Sequence, residues 1–222
     1  MIKLYELAGK NNLIFSPYCW RIRLALLHKK VRFSNEETAF IDIKNIPNGN
    51  FKTVPVLLDG DTAMSDSYKI AEYLDATYPT QPSLFTANEL CAFSTFIDGW
   101  ANALHSDIAK IAIADIYTHL QEKDKPYFKT SREAFFGDTL AEIQSKKGDT
   151  AKITLLAKLT VLDKYLDKFE FLGGATPLYS DFIVFGTLQW LLSTSNTFQM
   201  SDFSPAVQSW FLSLKKIYDI NN

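Results

Sequence analysis

The sequence has few of the residues that mark a metal centre or a disulfide framework. Of its 222 residues, two are cysteine and three are histidine. Cys19 and Cys91 are too few for a disulfide-rich secreted domain or a zinc pattern, and the histidines are scattered along the chain. We therefore expect no metal ion, and a reducing cytoplasm is the default compartment.

Long apolar runs and an excess of one charge are also absent. No run approaches the roughly 18 apolar residues that a membrane span needs, because Lys110 and Asp115 interrupt the longest candidate. The first ten residues, MIKLYELAGK, lack the apolar stretch of a signal peptide. With 23 basic and 25 acidic side chains the formal net charge is -2, so the charge favours neither nucleic acid nor a membrane as a partner.

The chain does have ample apolar and aromatic material. Hydrophobic residues make up 47% and aromatic residues 14%, which is enough for a buried core and for an apolar ligand cleft. The residue pattern changes near residues 79–87, where Pro79 and Pro82 lie in a linker. We therefore predict two domains, an α/β domain over 1–80 and an all-helical domain over 87–222.

The two halves differ in their predicted elements. The first half has the order β-α-β-α-β-β-α, with an irregular stretch over 40–50. Its strands are predicted over 2–7, 31–36, 54–58 and 62–64, with helices beginning at Ser16-Pro17 and Asp66-Ser67. In the second half, apolar residues recur every three or four positions. This spacing predicts helices over 87–120, 131–145, 150–169 and 181–192, and a last helix from Ser204-Pro205.

The segment Ser16-Pro17-Tyr18-Cys19 lies where a loop meets a predicted helix N-terminus. The free N–H groups and the dipole of a helix stabilise a thiolate at that position and lower its pKa. The Ser16 hydroxyl could donate a hydrogen bond to the sulfur anion. A plain N-cap role for Ser16 is the simpler alternative.

Two further segments suit a peptide ligand when taken together with Ser16. A cis Pro55 would leave the backbone of Val54 free to pair with an extended peptide. Asp66 could accept hydrogen bonds from an α-ammonium group, while Ser67 and free helix N–H groups hold a carboxylate. An edge-strand proline and a helix cap are the simpler alternatives. In this order, the three segments could hold a γ-glutamyl peptide with its thiol at Ser16.

The chain resembles the cytosolic glutathione transferases over nearly its whole length. SPYCWRIRLALLHK is similar to their first helix, and TVPVLLDG followed by AMSDSYKIAEYLDATYP is similar to their glutathione-site core. GGATPLYSDFIVFG resembles the segment that enters their buried core helix, where Asp181 would bond the backbone near its own helix start. Leu178 stands where that family often has Ser or Thr. SPYCWR, the SDS step and PLYSDF most resemble the bacterial β-etherases and fungal etherase-like transferases.

The resemblance implies a thioredoxin-like N-terminal domain, an all-α C-terminal domain, glutathione as cosubstrate and a homodimer. Ser16 matches the thiol-activating serine of the Ser-type transferases. Val54 and Pro55 match the step that holds the cysteinyl unit of glutathione, and Asp66 and Ser67 match the pair that holds its γ-glutamyl end.

Three residues keep alternative roles. Lys52 could meet the glycyl carboxylate of glutathione, or it could simply be solvated. Tyr5 is another possible activating hydroxyl, because some classes use a tyrosine near the end of the first strand, but the match at Ser16 favours the serine. Glutaredoxin-like relatives have CPYC where this chain has SPYC. Cys19 is therefore expected to be a small buried hydrophobe, and dithiol reductase chemistry is not expected.

The predicted function is attack by glutathione thiolate on an apolar or aromatic electrophile, with aryl-ether cleavage as one candidate reaction. The alternatives are a non-catalytic ligandin that binds aromatic molecules and a transferase-like structural module. Trp100, His105 and Ile108 are candidates for the cleft between the domains, although core packing is the better expectation for Trp100.

Overall fold

The computed structural model describes residues 1–220, without the side chains of residues 88 and 89. The last two residues of the predicted range 87–222 therefore lie outside the described part. The strands are β1 (Ile2–Leu7), β2 (Phe33–Thr38), β3 (Val56–Asp59) and β4 (Thr62–Ser65). The helices are α1 (Pro17–His28), α2 (Ser67–Thr77), α3 (Asn88–Asn102), α4 (His105–His119), α5 (Lys125–Phe136), α6 (Leu140–Leu166), α7 (Tyr179–Thr194) and α8 (Pro205–Ile217).

The strands form one mixed sheet in the order β2-β1-β3-β4. β1 pairs parallel to β2, so the chain must cross over between them, and α1 provides that crossover. The other pairs are antiparallel. The register of β3 against β1 begins at Val56, two residues later than predicted, and Pro55 has no N–H for the ladder. The sheet and its helices, followed by a helical half, confirm the predicted thioredoxin-like plus all-α fold.

The contact between α1 and α7 joins the two halves. Most positions of α7 are buried. Trp20 of α1 packs edge-on against Phe185 of α7, with 6.1 Å between ring centroids. Gly186 lets the two backbones approach so closely that a Cβ atom there would lie 2.4 Å from the carbonyl oxygen of Pro17. The start of α1 is therefore positioned by a helix of the second half.

The linker between the halves is held by a buried ion pair. Lys29, at the end of α1, is fully buried and donates to the Asp75 carboxylate at 2.7 Å and to the Pro82 carbonyl at 3.2 Å. Asp75 also accepts the backbone N–H of Leu84 at 2.8 Å. A buried charge is tolerated when it is paired and hydrogen-bonded in this way. The linker is thereby fastened to both α1 and α2.

The predicted helix over 87–120 is two helices, because the chain turns between Asn102 and His105. At the turn the N–H of Leu104 bonds the carbonyl of Ala101, three residues back rather than four. No proline marks this turn, and the apolar spacing continues across it. The prediction of one helix was therefore wrong.

The helices predicted over 131–145 and 150–169 are instead α5 and α6. Pro126 lies in the first turn of α5, and Gly137 ends that helix with a φ of 76°. Thr139 caps α6 by accepting the N–H of Glu142 at 3.3 Å and donating to the Glu142 carboxylate at 2.6 Å. These start and stop signals are present in the sequence, and the periodicity alone gave the wrong boundaries.

Asp181 bonds the backbone at the start of its own helix, which confirms the expectation for this residue. Its buried carboxylate accepts the N–H groups of Leu172 at 2.7 Å, Gly173 at 2.9 Å and Leu178 at 3.0 Å. It also accepts the indole N–H of Trp210 in α8 at 2.9 Å. One carboxylate thus fixes a loop, the start of α7 and the position of α8.

We predict that Gly186→Ala destabilises the protein by about 1–3 kcal/mol, since the added methyl group meets the rigid backbone of Pro17. Gly99→Ala is the matched control, because a Cβ atom at Gly99 has open space around it. It should be neutral or stabilising by up to about 1 kcal/mol, as alanine is favoured over glycine in helices. Urea unfolding measures both values. Equal stability of Gly186→Ala and the native protein would contradict the proposed closeness of α1 and α7.

Candidate active site

Ser16 is the N-cap of α1, as the sequence predicts. Its Oγ accepts the backbone N–H of Cys19 at 3.3 Å, and Pro17 is the first helical residue. The indole N–H of Trp20 donates to the carbonyl of Ile14 at 3.0 Å, which holds the preceding loop against the helix. Ser16 is 7% exposed, so its hydroxyl lies at a sheltered helix N-terminus.

The cap does not consume the proton of the Ser16 hydroxyl. A hydroxyl has one donor and two acceptor lone pairs, and the cap takes only a lone pair. Within the described residues the Ser16 hydroxyl donates to no nitrogen or oxygen atom, and its side-chain partner besides the cap is the buried thiol of Cys19, whose pKa it lowers. Ser204 caps α8 in the same Ser-Pro sequence, but its hydroxyl donates to the Asp163 carboxylate. Capping and donation to a ligand are therefore compatible at Ser16.

Cys19 is unsuited to thiol chemistry. It is fully buried, and burial raises the pKa of its thiol to about 12, with the nearby Glu6 carboxylate adding to the rise. Thiolate is the reactive form of cysteine, so this side chain is inert in the folded protein. Cys19 is the small buried hydrophobe that the sequence predicts.

The Val54-Pro55 peptide bond is cis. Val54 precedes β3 and lies outside its register with β1, so its backbone does not belong to the sheet ladder. Lys52 is exposed and has no carboxylate within ion-pair distance among the described residues. Both residues line the cavity described below.

Asp66 is the N-cap of α2 in an unusual backbone conformation. Its φ is 81° and its ψ is 109°, a combination that L residues rarely adopt and that costs about 1–3 kcal/mol. One carboxylate oxygen accepts the N–H of Tyr68 at 2.9 Å and that of Lys69 at 3.3 Å. The other oxygen makes no hydrogen bond with the described residues. The cap role is thus real, and half of the carboxylate remains open.

Ser67 is tied to the helical half. Its carbonyl accepts the phenol of Tyr179 at 2.8 Å, and Tyr179 is the fully buried first residue of α7. The Ser67 hydroxyl has no partner among the described residues. A helix of the second half therefore positions the start of α2, as it does the start of α1.

These segments surround one cavity of about 950 Å³ between the two halves. The six residues predicted to form the site all line it, although they come from three separate segments of the chain. They are Ser16, Lys52, Val54, Pro55, Asp66 and Ser67. The sequence could propose them one by one, and the fold brings them together.

The opposite wall is largely apolar and was missed in part by the sequence reading. Six side chains of α5 lie there. They form adjacent pairs that recur every four residues, so they share one face of the helix. They are Tyr127, Phe128, Ser131, Arg132, Phe135 and Phe136. Phe135 is 79% exposed. The sequence does contain a signal for this wall, namely the aromatic residues between Pro126 and Gly137. They were not recognised as one face because the predicted boundaries of this helix were wrong.

A polar network supports the wall near Ser16. Arg21 is buried, pairs with the Asp98 carboxylate and donates to Asn102 at 3.2 Å. Its guanidinium lies 4.5 Å from the centroid of the Tyr18 ring, a cation–π contact. The Tyr18 phenol donates to Asn102 at 3.0 Å. The donors of Tyr18 and two nitrogens of Arg21 are therefore taken up inside the wall.

The other candidate residues from the sequence differ in whether they line the cavity. His105 lines the cavity, whereas Tyr5, Trp100 and Ile108 are not among its lining residues. Tyr5 pairs with Glu36 and Val56 within the sheet. Ile108 is fully buried, and Trp100 packs partly buried against the core. Tyr5 therefore lies outside the cavity that Ser16 lines.

The described residues contain no cluster of three or more His, Cys, Asp or Glu side chains able to hold a metal ion. None of the helices in this part of the chain is long and apolar enough to cross a membrane.

The fold resembles crystal structures of fungal glutathione transferases. GSTFuA3 from Phanerochaete chrysosporium superposes with a TM-score of 0.86 at 23% identity, covering 100% of this chain and 98% of that one. CsGST63524 of Ceriporiopsis subvermispora, solved in complex with glutathione, gives a TM-score of 0.85 at 22% identity, covering 98% and 96%. At these identities the likeness shows the fold alone.

The sequence comparisons show the family. The glutathione S-transferase-like protein ustS of Aspergillus flavus is 25% identical over an alignment of 198 residues, which covers 77% of this chain and 71% of that protein. The model of the glutathione S-transferase N-terminal domain matches residues 12–82. The model of the glutathione S-transferase C-terminal domain matches residues 92–216, more than half of the chain. This protein belongs to the glutathione S-transferase family.

Proposed function

We propose that this protein is a glutathione transferase in which Ser16 activates the thiol of glutathione for attack on an aromatic electrophile. The observation that carries the proposal is that one cavity has both a polar side and an aromatic side. The polar side has open hydrogen-bonding groups at two helix N-termini, and the aromatic side can hold an apolar partner close by. Holding two reactants in one cavity supplies much of the rate enhancement.

Glutathione is proposed to lie along the polar side. The open oxygen of Asp66 accepts from the α-ammonium group, and Ser67 with the start of α2 holds the α-carboxylate. The backbone of Val54 pairs with the cysteinyl unit, and Lys52 meets the glycyl carboxylate. The glutathione complex of the Ceriporiopsis subvermispora transferase supports this ligand for the fold.

The thiol is proposed to lie at the N-terminus of α1. There the proton of the Ser16 hydroxyl donates to the sulfur of glutathione, and the helix dipole favours the anion. Both effects lower the pKa of the bound thiol and raise the thiolate fraction at neutral pH. The reaction then forms a carbon–sulfur bond as the leaving group departs with its electron pair. For an aryl ether, the leaving group is a phenolate.

A ligandin is the second candidate, because the aromatic wall would bind aromatic molecules with or without turnover. The open groups at Ser16 and Asp66 favour an enzyme, since a ligandin has no need of a hydroxyl at the thiol position. A purely structural module is not favoured by the same groups. Within the family we propose a Ser-type, etherase-like member.

We also propose a homodimer in the cytoplasm. Phe96 on α3 is 70% exposed, which is unusual for a phenylalanine and suits a covered surface in an assembly. Both cysteines are free, which suits a reducing compartment. Light scattering of the purified protein measures its mass in solution.

We predict that Asp66→Asn weakens glutathione binding by roughly tenfold or more, because a charge-assisted hydrogen bond is stronger than a neutral one. Asparagine can still cap α2, so the fold should persist. Isothermal titration of glutathione measures the change. Asp202→Asn is the control, because Asp202 also accepts a backbone N–H near a helical turn but does not line the cavity. Unchanged glutathione affinity in Asp66→Asn would contradict the proposed role.

We predict that Ser16→Ala lowers kcat/KM with chlorodinitrobenzene at neutral pH by roughly 10- to 100-fold, the range of one hydrogen bond to a charge. The pKa of bound glutathione should rise, so that the rate of the variant recovers at higher pH. Ser16→Thr retains a hydroxyl and should retain much of the rate. A pH–rate profile that is identical in Ser16→Ala and the native protein would refute thiol activation by Ser16.

Ser204→Ala is the matched control for Ser16→Ala. It also removes a serine cap before a proline, and it should destabilise the protein by about 1 kcal/mol or more. Its pH–rate profile should nevertheless match that of the native protein, because Ser204 is remote from the cavity lining. This comparison separates the loss of a cap from the loss of a thiol partner.

We predict that iodoacetamide does not modify Cys19 in the folded protein, because its thiol is buried and has a raised pKa. Unfolding in urea should make it reactive. Mass spectrometry of peptides distinguishes it from the half-buried Cys91. Rapid labelling of Cys19 in the folded protein would reopen dithiol chemistry for this chain.

A further inference from the structure

His105 is a polar residue of the cavity wall that the proposed mechanism does not use. It is the first residue of α4, and its ring packs edge-on between two aromatic rings. The centroid of its ring is 5.5 Å from that of Tyr18 and 5.3 Å from that of Trp190. Both neighbours line the same cavity. The imidazole therefore has a fixed place in the wall beside Tyr18, which lies two residues after Ser16 in the chain.

A hydrogen-bond chain determines which ring nitrogen carries the proton. Nε2 of His105 is 3.2 Å from the hydroxyl oxygen of Thr187, which lies 3.1 Å from the carbonyl of Ile183. A threonine hydroxyl has one proton, and a carbonyl can only accept. Both contacts are satisfied when Thr187 donates to Ile183 and the Nε2–H of His105 donates to Thr187. Nδ1 then carries a lone pair.

That lone pair is open. Nδ1 makes no hydrogen bond with the described residues. Among these residues, Arg21 Nε is the one side-chain nitrogen or oxygen that is both buried from solvent and without a partner. Nδ1 of His105, which also lacks a partner, is therefore accessible to solvent. Burial, together with the positive charge of Arg21, lowers the pKa of His105 to about 3. The ring is therefore neutral at physiological pH, and Nδ1 can accept a hydrogen bond.

This acceptor is an open polar group of its part of the wall, next to the exposed Ser106, whose hydroxyl also has no hydrogen-bond partner among the described residues. The Tyr18 phenol donates to Asn102, and the guanidinium of Arg21 is engaged with Asp98 and Asn102. Around Nδ1 the wall is aromatic, so the complementary ligand is a ring that carries a hydrogen-bond donor. A cationic donor is disfavoured by the charge of Arg21, so the fitting group is a neutral donor such as a hydroxyl.

We propose that Nδ1 of His105 accepts a hydrogen bond from a hydroxyl group on the aromatic second substrate, so that the protein selects hydroxylated aromatics over their methyl ethers. The inference rests on the proposed function, in that the same cavity takes this ring beside glutathione. Thr187 is a positioning residue in this arrangement, since it holds the tautomer that leaves Nδ1 free. A site built to pair with a hydroxyl discriminates against an analogue that lacks it.

The test compares umbelliferone, a hydroxycoumarin, with herniarin, its methyl ether. Binding of each to the full chain is measured by fluorescence titration in the presence of S-methylglutathione, in buffer acidic enough to keep the phenol protonated. The native protein should bind umbelliferone roughly three- to tenfold more tightly, the effect of one neutral hydrogen bond. His105→Phe keeps an aromatic ring but no acceptor, and it should bind the two coumarins equally.

Two further variants separate hydrogen bonding from packing. His105→Asn can place its amide oxygen where Nδ1 lies, so the preference for umbelliferone should persist even if both coumarins bind more weakly. Thr187→Val removes the partner of Nε2 and lets the proton move to Nδ1, so the preference should fall while herniarin affinity stays the same.

Three outcomes would overturn the inference: equal binding of the two coumarins by the native protein, the same preference in His105→Phe, or no binding of either coumarin. Glutathione is titrated separately into the native protein. A preference for umbelliferone without glutathione binding would refute the proposed function and leave the role of His105 standing. Glutathione binding without a preference for umbelliferone would refute the role of His105 and leave the proposed function standing.

Discussion

The close contact between the start of α1 and the middle of α7 is the constraint on which the site depends. Gly186 admits the backbone of Pro17, and this fixes the Ser16 corner against the core helix of the second half. The same helix supplies Tyr179, whose phenol holds the carbonyl of Ser67. One buried helix therefore sets the positions of both helix N-termini that face the cavity. Because packed interiors yield little, the cavity takes its shape from this arrangement.

The site uses groups that serve the fold and still have bonding capacity left. The Ser16 hydroxyl accepts a backbone N–H of its helix through a lone pair, which leaves its proton able to donate. Asp66 uses one carboxylate oxygen for its helix, and the other oxygen stays open. The contrast with Ser204, whose proton goes to Asp163, shows that the Ser-Pro pattern alone does not create an open group. The simpler interpretation of each motif as a helix cap is correct. It is also incomplete, because these side chains keep hydrogen-bonding capacity beyond the bonds of the cap.

Much of the fold could be predicted from local signals in the sequence. The order of strands, the helix starts at Ser16-Pro17 and Asp66-Ser67, and the backbone bond of Asp181 each follow from short-range chemistry. The turn after Asn102 does not, because no proline marks it and the apolar spacing continues across it. The aromatic face of α5 was missed through a boundary error, as Gly137 and the Thr139 cap were there to be used. The tautomer of His105 depends on Thr187, far away in the sequence, and required the structure.

The cavity has one wall from each half of the chain, and this has a thermodynamic consequence. A ligand that touches both walls binds only when the halves are docked, so its binding free energy is added to the stability of the docked state. By mass action the gain is about 2.7 kcal/mol when the ligand is at 100 times its dissociation constant. Partial opening of the molecule, which exposes cleavable chain to proteases, becomes correspondingly rarer. The lifetime of this protein in a cell would then report how much of its ligand is present.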